Sequence, residues 1–287
     1  MKISQILKKA KKGDLEHCSK CSWSPKQNSS VGFGKSCIEH GIDWKNENKA
    51  NSMLIVQDPA DTTPHYTGRL CAVHNSKKSS DKTAQQHIKL WSATVSMDYS
   101  NPEKNGYMKK HYWTNAIMHG ASSSDTELRD KREEVRQCCA NTLASQILTL
   151  QPNVIVASGK TAVDSLHQIG VLKNDWNILR IHLDKGAYQE AVDNWNNISK
   201  FKVFCTYHTA ARVVNQTLSR AYKPKTEEYL KVKIDKLEST KAVNDFLQEY
   251  NDTENATSKG MRYLLNHWLD IGEKIRKEYN KSFQPTR

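Results

Sequence analysis

Four short apolar runs rich in β-branched residues punctuate an otherwise polar chain: 53–57 (MLIVQ), 111–116 (HYWTNA), 153–157 (NVIVA) and 202–207 (KVFCTY). Near-continuous apolarity, in place of strict alternation, predicts strands buried on both faces, as in a parallel sheet. The stretches between them carry helical spacing. The clearest covers 127–150, where Leu128, Val135, Leu143, Ile147 and Leu150 mark an apolar face among Arg, Glu and Gln, and Pro152 marks its end. Another helix is predicted around His87-Ile-Lys-Leu-Trp91, inside the Ser-, Lys- and Asn-rich segment 72–105. Strand alternating with helix predicts an α/β fold: a three-layer α/β/α sandwich around a central four-stranded parallel sheet.

After Lys223-Pro224-Lys225 the texture turns charge-rich and helical, over 229–250 and 261–279. An isolated polar helix is marginal in water. The segment 225–287 is therefore expected to be a helical C-terminal extension that packs back on the core through Phe246, Leu264, Leu265, Trp268 and Ile271. The lysine-rich start, 1–15, reads as a basic arm, which leaves 16–224 as the α/β domain.

Composition narrows the class. No apolar stretch is long enough to span a bilayer, and the start MKISQILKK has no signal-peptide apolar block. The expectation is a cytoplasmic monomer with no membrane partner. Forty-three Lys and Arg against 31 Asp and Glu give a formal charge of +12, a balance that favours a polyanion such as nucleic acid. A merely solvated basic surface is the plainer alternative. Seven cysteines in a reducing compartment point to metal chemistry or to packing, and Cys18-Ser-Lys-Cys21 has the spacing to grip a metal ion or two corners of a cluster.

The predicted strands end in Gln57-Asp58-Pro59, Asn115, Ser158-Gly159-Lys160 and His208. The carboxyl ends of strands are where open α/β sheets build their sites. An Asp, an Asn and a His converging there supply a general base, a bidentate amide reader and a donor for a developing oxyanion. Each alone also has a structural reading: a turn that stops a strand, an amide that satisfies backbone groups, a histidine that packs. Their common placement favours a site.

Val56-Gln57-Asp58-Pro59-Ala60, Thr114-Asn115-Ala116-Ile117, the segment 153–162 (NVIVASGKTA) and Tyr207-His208-Thr209-Ala210 resemble, in this order and strand context, motifs of the uracil-DNA glycosylase superfamily. The resemblance covers about residues 16–222. It implies an enzyme that binds DNA, flips out a pyrimidine and hydrolyses its N-glycosidic bond to leave an abasic site. By that resemblance Asp58 orients the water and stabilises the sugar cation, and His208 donates to the base oxygen. Gln57, Ala60, Tyr66 and Asn115 then belong to the base pocket, with Asn115 reading the Watson–Crick edge. Arg69, Lys160, Arg212 and Arg220 would track phosphates.

The branch it most resembles carries an iron–sulfur cluster. Cys18-x-x-Cys21, Val31-Gly-Phe-Gly34 and Cys139 match that branch, and the remaining ligand position, four residues after Asn115, is His119. The resemblance thus implies a 4Fe-4S cluster with one imidazole ligand, or a zinc ion, on Cys18, Cys21, His119 and Cys139. A competing local set is Cys18, Cys21, Cys37 and His40, and simple burial of the thiols without metal is the third reading.

Departures from the family pattern bear on substrate. Ala60 stands where the uracil-specific branch has a Tyr that blocks C5 of the pyrimidine, and Tyr66 is the nearest ring for stacking on the base. The histidine motif reads His208-Thr-Ala-Ala-Arg212, without the usual Pro, so a DNA wedge built from Ala210, Ala211 and Arg212 is less apolar than normal. Two substrates follow: uracil in a repair role, or a 5-substituted pyrimidine, such as a modified cytosine of phage DNA, in antiviral defence. A non-catalytic DNA-binding descendant of the fold is the alternative from another class.

Overall fold

The structure is a computed structural model that describes residues 52–57, 82–95, 111–117, 132–198, 200–237 and 240–279. Its elements in chain order are β1 (Ser52–Val56), α1 (Lys82–Val95), β2 (His111–Asn115), α2 (Arg132–Leu150), β3 (Val154–Ser158), α3 (Lys160–Gln168), α4 (Trp176–Leu183), β4 (Tyr188–Val192) and β5 (Phe201–Thr206). A π-helical turn, Val213–Leu218, runs straight into α5 (Ser219–Ala221), followed by α6 (Pro224–Ile234), α7 (Lys241–Glu249) and α8 (Ala256–Tyr279).

The four predicted parallel strands are present, in the order β2-β1-β3-β5, and a fifth strand, β4, closes the sheet antiparallel to β5. All five residues of β1 and of β3 are buried, which is what covering by helices on both faces demands. From β1 the chain crosses to β2 on one side, whereas from β2 it returns over β1 to β3 and moves on towards β5. With right-handed crossovers, the helices after β1 and after β2 must lie on opposite faces. Accordingly α2 packs on α3 and α3 on β1 and β3, while α1 packs on α8, which reaches β5. The reversal of direction places a topological switch point between the carboxyl ends of β1 and β3, where such sheets open a crevice.

Helix α2 shows how local signals set an element. Leu143, Ile147 and Leu150 are buried as its apolar face requires; Leu128 and the side chain of Val135 lie outside the described residues. Gln151 closes the helix with φ 42 and a bond from its N–H to Ile147 O of 2.8 Å, and Pro152 follows. Thr114 Oγ1 donates to Gln146 Oε1 at 2.6 Å, so a buried polar pair fixes α2 on β2.

Phe246, Leu264, Leu265, Trp268 and Ile271 are all buried. Helix α8 comes unusually close to its neighbours at two glycines: a Cβ at Gly260 would collide with Val214 O, and one at Gly272 with Thr94 O. Thr94 Oγ1 in turn donates to Trp268 O at 3.0 Å, and Arg276 Nη1 donates to Thr94 O at 2.7 Å. Among the described residues no helix is long and apolar enough to cross a membrane.

Candidate active site

The switch point holds a cavity of about 450 Å³. Gln57 enters from the end of β1, Gly159 and Lys160 from the turn between β3 and α3, and Tyr207, His208 and Ala210 from the exit of β5. Trp176, Arg180 and Ile181 of α4, with Asp184 at its C-terminal cap, form the facing wall, with Val213 and Thr217 of the π turn beside them. Parallel strands deliver their exits to one edge, which is why residues a hundred or more positions apart meet there.

The turn between β3 and α3 is built around Gly159. Its φ of 87° and ψ of 177° lie in a region open essentially to glycine alone. Its N–H donates to Thr206 O at 2.8 Å, and an added Cβ would stand 2.7 Å from the Cβ of His208. The glycine thus lets the β3 exit lie directly against the histidine. His208 has a defined tautomer, because the Ala210 N–H donates to its Nδ1 at 3.0 Å. A neutral ring that accepts at Nδ1 carries its proton on Nε2. His208 is therefore set up as a hydrogen-bond donor through Nε2.

The far wall mixes an aromatic face with charge. Trp176 and Tyr207 meet edge to face with centroids 5.7 Å apart. Tyr207 donates from its hydroxyl to Asp184 Oδ1 at 3.2 Å, and burial together with the Asp184 charge pushes its phenol well above the usual range, so it stays neutral. Lys160 is half out in solvent and pairs with Asp164 one turn along α3. Asp164 also accepts from Trp176 N–H at 2.9 Å, which locks the start of α4 onto α3.

The family is decided by the whole-domain comparison: residues 44–231, well over half of the chain, match the model of the Uracil DNA glycosylase superfamily. The chain belongs to that superfamily. Membership points to DNA glycosylase chemistry and to DNA as the partner, in general terms. No curated protein sequence matches the chain.

Within this superfamily domain the site residues expected from sequence fall into four groups. Gln57, Lys160 and His208 come together around this cavity. Asn115 ends β2 opposite Val56 and is buried; pairing of the two strands continues past it through Ala116 N–H to Val56 O at 2.8 Å and Ile117 N–H to Gln57 O at 2.9 Å. It thus shares the sheet edge with Gln57 but is not one of the residues lining the cavity. Asp58, Ala60, Tyr66 and Arg69 lie outside the described residues. The segment expected to form a wedge is partly helical: Ala210 lines the cavity, while Ala211 and Arg212 are exposed at the start of the helix that continues through the π turn to Arg220.

Cys139 is fully buried on α2. Cys18, Cys21 and His119, with the competing Cys37 and His40, lie outside the described residues. Among the described residues no three His, Cys, Asp or Glu gather into a metal-binding group. Sequence reasoning missed the α4 wall altogether, because Trp176 and Arg180 lie on no strand end, and it missed the buried His87 of α1, which it read only as part of a predicted helix.

Proposed function

We propose that the chain is a DNA glycosylase that takes an extruded pyrimidine at the switch-point crevice and hydrolyses its glycosidic bond. The observation that carries this reading is His208: a half-buried imidazole at the cavity, fixed by Ala210 N–H so that Nε2 is its donor. As the bond to the sugar breaks, negative charge grows on the base and positive charge on the sugar. A preorganised donor at the base oxygen stabilises the first. Asp58, the residue after the cavity-lining Gln57, would face the second and orient the water. Asn115, buried at the sheet edge it shares with Gln57, is given the reading of the base edge by the family resemblance alone, and Lys160, Arg180 and Arg212 would hold phosphates.

The cavity supports a substrate larger than uracil. At about 450 Å³ it falls within the range of roughly 300–1000 Å³ that drug-sized ligands occupy, more than a bare pyrimidine ring fills. Its aromatic wall and polar groups suit a substituent that carries hydroxyls. We therefore favour a 5-substituted pyrimidine, such as a modified cytosine of phage DNA, and a role in defence. The test is alkali cleavage of oligonucleotides containing uracil, 5-hydroxymethylcytosine or glucosylated cytosine. Strand scission at a modified cytosine supports the reading, and scission at uracil alone replaces it with repair. Absence of scission on all three, with DNA still bound, would favour the non-catalytic descendant.

If Ala60 opens the C5 side of the pocket, Ala60→Tyr should abolish excision of the bulky base, since a packed wall has little room to relax around an added ring. Excision of an unsubstituted base should be spared, as expected when specificity rests on a clash with one substrate. Rates measured on matched oligonucleotides check this. Equal loss on both bases, or none on the bulky one, would remove Ala60 from the C5 wall.

A further inference from the structure

Beneath His208 lies a second histidine. His87, on α1, is 1% exposed. Its Nε2 is 2.8 Å from Ser158 Oγ, its Nδ1 is 3.0 Å from Thr209 Oγ1, and its ring stands edge-on to that of His208 with centroids 4.9 Å apart. The Ser158 hydroxyl in turn donates to Tyr207 O at 3.2 Å. Having spent its proton there, Ser158 Oγ is the acceptor from His87 Nε2–H. The neutral ring then accepts at Nδ1, and Thr209 Oγ1–H is the donor. These three hydrogen bonds run in one direction, from Thr209 through His87 and Ser158 to the Tyr207 carbonyl.

This chain grips the residues on both sides of His208, Tyr207 by its carbonyl and Thr209 by its hydroxyl, while Ala210 N–H holds the ring of His208 itself. We propose that His87 is a positioning residue for His208: through Ser158 and Thr209 it fixes the β5 exit so that His208 keeps its Nε2–H directed at the substrate. The proposal rests on the glycosylase reading for its functional consequence. His87 cannot reach DNA itself, because Trp113, Trp268 and His208 surround its ring. Its effect must therefore be on how well His208 is aimed. A misplacement of about 1 Å at a reacting group costs on the order of a hundredfold in rate, so a looser β5 exit is expected to be felt in the chemical step.

The test compares His87→Leu, which keeps an apolar volume and removes both hydrogen bonds, with His87→Gln, whose amide can still donate to Ser158. Single-turnover excision and DNA affinity are measured on an oligonucleotide whose modified base the wild type removes. His87→Leu is expected to slow excision at least about tenfold with DNA affinity within about twofold, and His87→Gln to recover most of the rate. A histidine that only packs would lower the melting temperature without changing the rate of the folded protein, and that result overturns the proposal, as does a loss seen only in DNA affinity. If His87→Leu does not fold, Thr209→Val removes one hydrogen bond at nearly constant shape and is judged by the same two measurements. Nitrogen-15 spectra of the imidazoles give an arm independent of activity. The wild type should show His208 protonated at Nε2, and His87→Leu a mixture of tautomers. If the wild type excises no base, the glycosylase reading has failed, and these spectra alone decide the positioning role: an unchanged His208 signal in His87→Leu overturns it.

Discussion

Asp58→Ala is expected to lower base excision by at least about a hundredfold, the scale set by losing a general base or a principal electrostatic stabiliser. The expectation follows from the position of its neighbour. Gln57 lines the cavity at the switch point, its Oε1 3.3 Å from the Thr161 hydroxyl that donates to it, and Asp58 is the next residue of the chain. A carboxylate at that position is next in sequence to a cavity lined by His208, Lys160 and Arg180, with Asp184 as the acid already on its wall. In the proposed mechanism it is the partner for a sugar that becomes positive as the base departs. Asp58→Asn should lose nearly as much, because the amide keeps the shape and not the charge. Single-turnover rates on a cleavable oligonucleotide, with DNA affinity and melting temperature as controls, check both variants. Near-normal excision by Asp58→Ala would mean that another group stabilises the cation, and the assignment of the strand-end carboxylate would fall.

The sheet's four parallel strands were legible because burial on both faces leaves an unmistakable trace: Met53 to Val56 and Val154 to Ala157 are apolar without interruption and are fully covered. The edge strand β4 left no such trace. Its sequence, YQEAV, is half polar, its residues are mostly half-exposed, and it is held by its ladder to β5 from Tyr188↔Cys205 to Val192↔Phe201. Tertiary pairing, not its own pattern, makes it a strand. A hint was present in the loop that follows, where Asn194, Asn196 and Asn197 all adopt positive φ, a conformation that Asn tolerates better than most residues.

The candidate site divides along the same line. Gln57, Gly159-Lys160 and His208 were legible because a parallel sheet sends its strand exits to one edge, so a residue just after an apolar run acquires a place in space from its place in sequence. The α4 wall was not legible, since nothing in the sequence around Trp176 says which face of the sheet its helix covers. That is settled by Asp164, which accepts from Trp176 N–H, and by the packing of α4 on β4 and β5. His87 was hidden for a different reason. Helical spacing places it with Leu90, Trp91 and Thr94 on a buried face, and only the three-dimensional contacts with Ser158 and Thr209 distinguish it from a histidine that fills space.

Gly159→Ala is expected to cost both stability and activity, and the reason is the same close approach that builds the site. At φ 87° and ψ 177° a side chain is strained whatever surrounds it, by roughly 1–3 kcal/mol. Here the new methyl also stands 2.7 Å from His208 Cβ, with His208 Cα at 3.5 Å. Two responses are open. The turn can rotate to a permitted conformation, which pulls the Gly159 N–H away from Thr206 O, now 2.8 Å distant and joining the exits of β3 and β5. Alternatively, the turn holds and His208 moves. Both displace the imidazole from its place on the cavity, and with a misplacement near 1 Å the expected loss in excision is about a hundredfold. Gly170→Ala separates the two contributions. Gly170 has φ 75° and the nearest atom to an added Cβ is Trp195 Nε1 at 4.0 Å, away from the cavity. That variant should melt lower, with its excision rate unchanged. Gly159→Ala should melt lower by several degrees and also lose the rate while still binding DNA. Full excision by Gly159→Ala would show that His208 tolerates displacement and is not the donor that the site was built to hold.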